Sequence, residues 1–359
     1  KGIIPPSAML YRIDGDRFAV HYPYAVASDM QAIYNRAAEE AKEIRLSEKV
    51  DVSLTLSAGV CIYPQNAETP EKLRRNTQRA FERAKREGKN QITFYSQEIR
   101  EQYIKKLRFT EVLKHSVKEN FKGFELYYQP IVDPVTRKIV ECEALLRWKN
   151  DEFPKASPAD FIPILEETGL IKEVGEWVVE NAISQVKQWG DKNLIVNVNV
   201  SYKQLKDGNF AEYVLKIIDE YGYDPTKLVI ELTESCKAHD ISLLMKTLDK
   251  LREQHVLVAL DDFGTGYASL DVLQDVSADL VKIEQKFVSG CRDNKVDRNI
   301  VKHIILLAHS LDMKVCMEGV ETEEICQVAE EEKADTLQGY YFSRPVPAEE
   351  FGRMLQGNR

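Results

Sequence analysis

The sequence predicts an α/β protein built on a (β/α)8, TIM-like barrel, preceded by a smaller, partial α+β domain. Three observations lead there. From about Phe121 onward, apolar and β-branched runs recur, each closing on a polar residue: "KIVECEALLRW", "LIVNVNVS", "KLVIELTES", "VLVALDDFG", "ADLVKIE", "KVCMEGVE" and "ADTLQGYYFS". Helical stretches such as "FIPILEETGLIKEVGEWVVENAISQVKQW" and "DRNIVKHIILLAHSL" separate most of them. Nearly continuous apolar strands alternating with helices indicate a parallel sheet covered by helices. The repeat fills about 240 residues, close to the roughly 250 of a (β/α)8 barrel.

Residues 1–96 read as strand, turn, strand, helix, strand, helix, strand. "MLYRI" and "FAVHYP" flank "DGDR", a hairpin-like turn signal. "SLTLSAGVCIYP" reads as a strong strand. "TPEKLRRNTQRAFERAKREGKN" begins with a Thr cap and Pro and stops at Gly88, the signature of a capped helix. Residues 97–120 are charged and helical, with Ile99, Tyr103 and Leu107 at i+4 spacing, and form a connecting helix. Residues 121–359 form the barrel domain.

With 359 residues, 43% hydrophobic and 30% charged, the chain has core material for two domains. A formal net charge of -9 and the lack of a dense Lys/Arg block exclude nucleic acid as the main partner. No run approaches the roughly 18 apolar residues of a membrane span, so no membrane contact is expected within this chain. Cys61, Cys142, Cys236, Cys291, Cys316 and Cys326 form no C-x-x-C pair and mostly sit in apolar runs, which implies reduced thiols and a cytoplasmic setting. A start at Lys1 suggests a fragment of a longer protein, with any sensor or anchor upstream.

In such a barrel the reactive groups sit at the C-terminal ends of the strands. Those ends carry Glu143, Asn199, Glu231, Asp261 with Asp262, Lys282 with Glu284, Glu318 with Glu321, and Gln338. One carboxylate at a strand end is ordinarily a solvated loop residue or a helix cap. Recurrence of the same chemistry at six or seven strand ends argues for a shared site. Hard oxygen donors select Mg²⁺, Mn²⁺ or Ca²⁺. Adjacent Asp261 and Asp262 suit two cations roughly 3.5–4 Å apart, clamping the attacking and leaving oxygens of a phosphoryl group.

The motifs "EALLRW" (143–148), "NVS" (199–201), "ELTES" (231–235), "DDFGTGYASL" (261–270), "EGVET" (318–322) and "QGYYFSRPVP" (338–347) resemble the EAL family. Its members are phosphodiesterases that hydrolyse the bacterial messenger cyclic di-GMP to linear pGpG. The resemblance implies that Glu143, Asn199, Glu231 and Asp261 bind one metal, and that Asp262 helps hold a second with Asp261 bridging. Two Mg²⁺ or Mn²⁺ ions per active site are expected. Lys282 is implied to orient and polarise the attacking water, and Glu318 to serve as general base or as a ligand acting with it. Gln129, Leu145, Arg147, Glu321 and Gln338 are implied to grip the substrate, and a homodimer through the barrel domain is implied as well.

Residues 1–96 resemble the second half of a GGDEF diguanylate cyclase domain, through "SAGVCIYP" and "AKREGKN". Its signature motif is replaced by "DGDRF", from Asp14 through Gly15, Asp16 and Arg17 to Phe18. Asp14 adds a side chain where glycine is expected and Arg17 inverts a charge, so this half is expected to be inactive and regulatory. Within the barrel, Glu284 replaces the family's usual aspartate and is expected as a metal ligand displaced by one methylene. That departure motivates an alternative: a weak or silent cyclic di-GMP-binding receptor.

Overall fold

A six-residue turn decides the topology of the C-terminal unit. Asp133 accepts hydrogen bonds at its Oδ1 from the backbone N–H of Thr136 (2.6 Å) and Val135 (3.1 Å). This closes a hairpin in the computed structural model between Phe124–Val132 and Ile139–Trp148. A parallel pair needs a crossover of roughly a dozen residues or more, and this turn is too short for one. The structure describes residues 2–42, 44–47, 50–52, 54–206, 209–233, 241–264 and 278–357.

The strands, in chain order, are β1 (Met9–Asp14), β2 (Arg17–His21), β3 (Ile44–Ser47), β4 (Val50–Val52), β5 (Ala58–Val60), β6 (Ile92–Phe94), β7 (Phe124–Val132) and β8 (Ile139–Trp148). They continue with β9 (Ile195–Val200), β10 (Leu228–Thr233), β11 (Leu257–Phe263), β12 (Leu280–Ile283), β13 (Lys314–Met317), β14 (Thr336–Gln338) and β15 (Val346–Pro347). The chain divides into two compact units, Lys1–Glu111 and Val112–Arg359, and the helix Gln97–Lys118 runs through the division.

In the first unit, β1 and β2 form an antiparallel hairpin, β3 pairs with β4, and β5 lies parallel to β6. The strand expected over "SLTLSAGVCIYP" is only three residues long, because β5 pairs with the equally short β6 alone. The helix Pro70–Arg86 begins as its sequence dictates, with the Thr69 hydroxyl accepting from the Lys72 N–H at 3.3 Å. Its buried face, through Ala80, packs with Tyr95, Ile99 and the partly buried Cys61.

In the second unit, β7 to β14 follow one another in order, and β14 pairs back onto β7 through Leu337 and Val132 to close an eight-stranded barrel. The TIM-like fold is as expected, but the strand set is not uniformly parallel. β8 to β14 are parallel, whereas β7 is antiparallel to both of its neighbours. The long helical stretch after β8 is two helices, Pro158–Thr168 and Ile171–Trp189, broken where Gly169 adopts φ 79°. The helices Phe210–Tyr221, Ile241–Glu253, Lys295–Ser310, Glu323–Glu331 and Ala348–Gly357 follow later strands. Outside the barrel, Tyr128 packs edge-on against Trp189, and Trp189 against Phe351.

Side chains alternate across each strand, so the interior is layered. Ile131, Val229, Ala259, Leu280 and Cys316 form an apolar layer. Two residues from these in the chain, on the side of the barrel mouth, stand Glu231, Asp261, Lys282 and Glu318, with Gln129 on the antiparallel β7. Residues 265–277 lie outside the described residues, as do Cys236 and the end of "ELTES". The described cysteines, Cys61, Cys142, Cys291, Cys316 and Cys326, are free thiols. No helix among the described residues is long and apolar enough to cross a membrane.

Gly339 follows Gln338 at barrel closure, and a Cβ there would stand 2.0 Å from the Val320 carbonyl oxygen. Backbone cannot rotate away as a side chain can. Gly339→Ala is expected to cost about 1–3 kcal/mol, read as a lower denaturation midpoint with an unchanged slope. An unchanged midpoint would show that the closure has slack.

Candidate active site

β12 carries a lysine into the interior at a position where neighbouring strands carry acids. Lys282 is 0% exposed, as is Glu231, and Glu143 and Gln338 are buried beside them. The Lys282 Nζ lies 2.7 Å from Glu318, 3.0 Å from Glu231, 3.2 Å from Glu143 and 3.9 Å from Asp261. Glu143 also accepts from Gln338 Nε2 at 2.6 Å and from Asn199 Nδ2 at 2.5 Å. Gln338 donates to Gln129 Oε1 at 3.1 Å, and Gln129 donates to the Ser343 carbonyl at 3.1 Å.

One ammonium faces four carboxyls, and burial makes the surplus charge costly. Three of the four, and Asp262 next to Asp261, separate accordingly. Glu143, supplied by Lys282, Gln338 and Asn199, keeps its carboxyl below the ordinary value although burial opposes this. Burial and the Glu143 charge push Glu231 well up. Burial, with Asp261 and Glu143 nearby, raises Glu318 to about 7. Burial, then the Asp261 and Glu284 charges, raise Asp262 to about 6. Lys282 is held firmly charged by its acidic neighbours despite its own burial.

Asp261, Asp262 and Glu318 each present a carboxylate oxygen, and these atoms lie within 4.8 Å of one another. A surplus of buried negative charge beside clustered hard oxygens fits a divalent cation. The chain turns sharply here: Asp262 has φ 55°, and its N–H donates to Asp261 Oδ1 at 2.9 Å. Gly264 follows at φ 102°, where a Cβ would meet the Phe287 ring at 2.6 Å. Glycine is required there on both counts.

The structure thus joins Gln129, Glu143, Asn199, Glu231, Asp261, Lys282, Glu318 and Gln338 in one network, with Asp262 beside it. Leu145 and Arg147 continue the Glu143 face of β8 and are half-buried. Arg147 lies 5.5 Å from the Tyr127 ring centre. Glu321 is exposed and accepts from Gln285 Nε2 at 3.3 Å. Glu284 pairs with Lys286 at 3.1 Å and stands outside the three-acid cluster. In the first unit, Asp14 to Phe18 make the β1–β2 hairpin: Gly15 and Asp16 turn the chain, and Arg17 Nε donates to Asp14 Oδ1 at 2.6 Å. Phe18 is exposed.

Sequence reasoning passed over the buried pair Glu141 and Asn197, two residues before Glu143 and Asn199. The i, i+2 repetition of acid with acid and amide with amide was the available signal.

A TIM-like barrel with an acidic site and one lysine at its strand C-termini defines the class of protein. The chain belongs to the EAL domain family, which residues 111–345 match; residues 1–91 match the diguanylate cyclase GGDEF domain family. It is 29% identical to the bifunctional diguanylate cyclase/cyclic di-GMP phosphodiesterase MucR of Pseudomonas aeruginosa, over 94% of this chain and 50% of MucR. It is 28% identical to the cyclic di-GMP phosphodiesterase NbdA of the same organism, over 100% of this chain and 46% of NbdA. The solved PaMucR phosphodiesterase–c-di-GMP complex superposes with TM-score 0.62 at 32% identity, covering 67% of this chain and 99% of that one. The chain spans about half the length of the relatives it matches.

Asp262 and Glu318 hold their protons more tightly folded than unfolded, where carboxyls ionise near pH 4. The folded protein therefore binds more protons between about pH 4 and 7, and metal-free stability is expected to fall as pH rises through that window. Mn²⁺ is expected to offset the fall at the alkaline end. Melting in EDTA and in Mn²⁺ across the window checks both; a metal-free Tm that rises with pH would contradict the charge balance described here.

Proposed function

We propose that the chain is a divalent-metal-dependent phosphodiesterase hydrolysing cyclic di-GMP to linear pGpG, using Mg²⁺ or Mn²⁺. The observation that carries this reading is Lys282 held among Glu143, Glu231, Asp261 and Glu318 at the barrel mouth, with Asp262 alongside. The names of MucR and NbdA, and the c-di-GMP-bound PaMucR structure, support the substrate.

Glu143, Asn199, Glu231 and Asp261 would hold one cation, and Asp261 with Asp262 a second. Bound there, the metals supply charge neutralisation for the diester and an acidified water. The residues supply the rest. Lys282, fixed by its acidic partners, orients a water and keeps positive potential on the developing charge. Glu318, with a proton affinity near neutrality, accepts a proton from that water. Arg147 and Gln338 face the diester and its sugar, with Gln129 bracing Gln338.

The GGDEF-like half is read as catalytically silent and regulatory, because Arg17 is engaged with Asp14 across the turn where the family motif would approach GTP. Association through the barrel into a homodimer and a cytoplasmic location belong to the same reading. One observation favours a weaker variant, a cyclic di-GMP receptor of low turnover: the Glu284 carboxylate pairs with Lys286 instead of joining the acid cluster.

Incubation with cyclic di-GMP and Mg²⁺ or Mn²⁺ is expected to yield pGpG, and Glu143→Ala to lower the rate by more than about 100-fold, since even outer-shell losses cost about 10–100-fold. Tight binding without pGpG in either metal would establish the receptor reading instead. GTP supplied with either metal is expected to give no cyclic di-GMP; its appearance would refute the silence of the N-terminal half.

A further inference from the structure

One layer below the mouth, the barrel holds an acid–amide pair that the proposed reaction does not use. Glu141 and Asn197 are both buried, and Asn197 Nδ2 donates to Glu141 Oε2 at 3.0 Å and approaches the Cys142 carbonyl at 3.4 Å. Neighbouring strands fill this layer with Ile131, Val229, Ala259, Leu280 and Cys316. Apolar residues would avoid the cost of burying a carboxyl and an amide. Asn197 Oδ1 even lacks a hydrogen-bond partner among the described residues, which adds to that cost. A polar pair kept in such surroundings calls for a reason other than packing.

The geometry supplies one. Glu143 and Asn199 repeat the same bond two residues further along the same two strands, Asn199 Nδ2 donating to Glu143 Oε1 at 2.5 Å. β8 and β9 are parallel, with Cys142 opposite Val196 and Glu143 opposite Asn197. Two successive amide-to-carboxyl rungs therefore tie β8 to β9 on the interior face, the lower one sealed from solvent and the upper one at the site. An apolar contact fixes neither direction nor length; a buried hydrogen bond fixes both.

We infer that Glu141 and Asn197 are positioning residues: their bond sets the offset of β8 against β9 and thereby holds Glu143 and Asn199 where both present oxygen to a cation. The inference rests on the metal-dependent reading of the site. A displacement of about 0.5 Å is enough to degrade such a constellation, so the effect belongs in metal affinity before it belongs in stability.

The test uses the full chain and three variants. Glu141→Leu and Asn197→Val remove the lower rung in different strands, and Glu141→Gln keeps a hydrogen-bonding group of the same length. Mn²⁺ affinity is read by titration calorimetry without substrate, with melting in EDTA and kcat and KM for cyclic di-GMP measured alongside. Glu141→Leu and Asn197→Val are expected to weaken Mn²⁺ binding about 10-fold or more, with a folded, cooperative melt retained. Glu141→Gln is expected to stay close to the parent in affinity. If one apolar variant fails to fold, the other and Glu141→Gln still decide. Parent-like Mn²⁺ affinity in the apolar variants, or equal weakening in Glu141→Gln and Glu141→Leu, overturns the inference while leaving the phosphodiesterase reading intact. A parent chain that neither binds Mn²⁺ nor makes pGpG removes that reading and the inference together.

Discussion

The ammonium of Lys282 sets the terms for everything around it. A lysine fully out of water is tolerated only in company, and it draws Glu318, Glu231 and Glu143 to within 3.2 Å. Yet one positive charge cannot balance that many acids. The network is therefore stable as a scaffold and incomplete in charge, and burial together with the surplus acids raises Glu318 to about 7 and Asp262 to about 6. Buried acids that bind protons more tightly than usual are ones from which a divalent cation can displace them. Lys282 thus holds the structure with the same contacts that the proposed chemistry would use.

The barrel brings those groups together, since they come from β8 to β12, from the residue after β13 and from the end of β14. The parallel register sets Glu231 opposite Asn199, whereas Lys282 stands opposite Cys316, so that Glu318 enters the site from just past the end of β13. The antiparallel β7 departs from this plan without spoiling it. It runs in the opposite direction, so its interior residue Gln129 reaches the mouth mid-strand, where it braces Gln338. The hairpin lets two adjacent strands meet the site, one supplying Glu143 and the other the acceptor that fixes Gln338.

Most of this was legible in the sequence because strand-end chemistry repeats. Glu231, Asp261 and Lys282 fall near the ends of apolar runs, whereas Glu143 stands mid-strand in β8, and the barrel's length limits what such runs can form. The direction of β7 was harder to see: "FELYYQPIV" looks like any buried strand, and the clue was the short "DPVTRK" turn, whose Asp133 seals a hairpin. The extent of the strand at Ala58–Val60 was overread, because propensity marks residues that can extend and pairing decides which do. Glu141 and Asn197 were missed since a polar residue inside an apolar run draws the eye only at its end. The side-chain partners of Glu321 and Glu284 depend on Gln285 and Lys286, which local pattern does not assign to either acid.

Glu284 shows how one methylene can change a role without abolishing it. The residue lies at the end of β12, immediately before the short helix Gln285–Val288, in extended conformation at φ -60° and ψ 142°. Its longer arm reaches Lys286, and the pair is partly solvated, so the bond itself adds little to stability. The carboxylate is nonetheless close enough for its charge to raise the Asp262 proton affinity. A shorter aspartate at this position would have less reach toward Lys286. Glu284 thus stands outside the acid cluster yet acts on Asp262 through space. On the proposed metal-dependent reading, Glu284 would bear first on how tightly a second cation is held, and would leave the Lys282 network, which has no ion pair with Glu284 among the described residues, as it is.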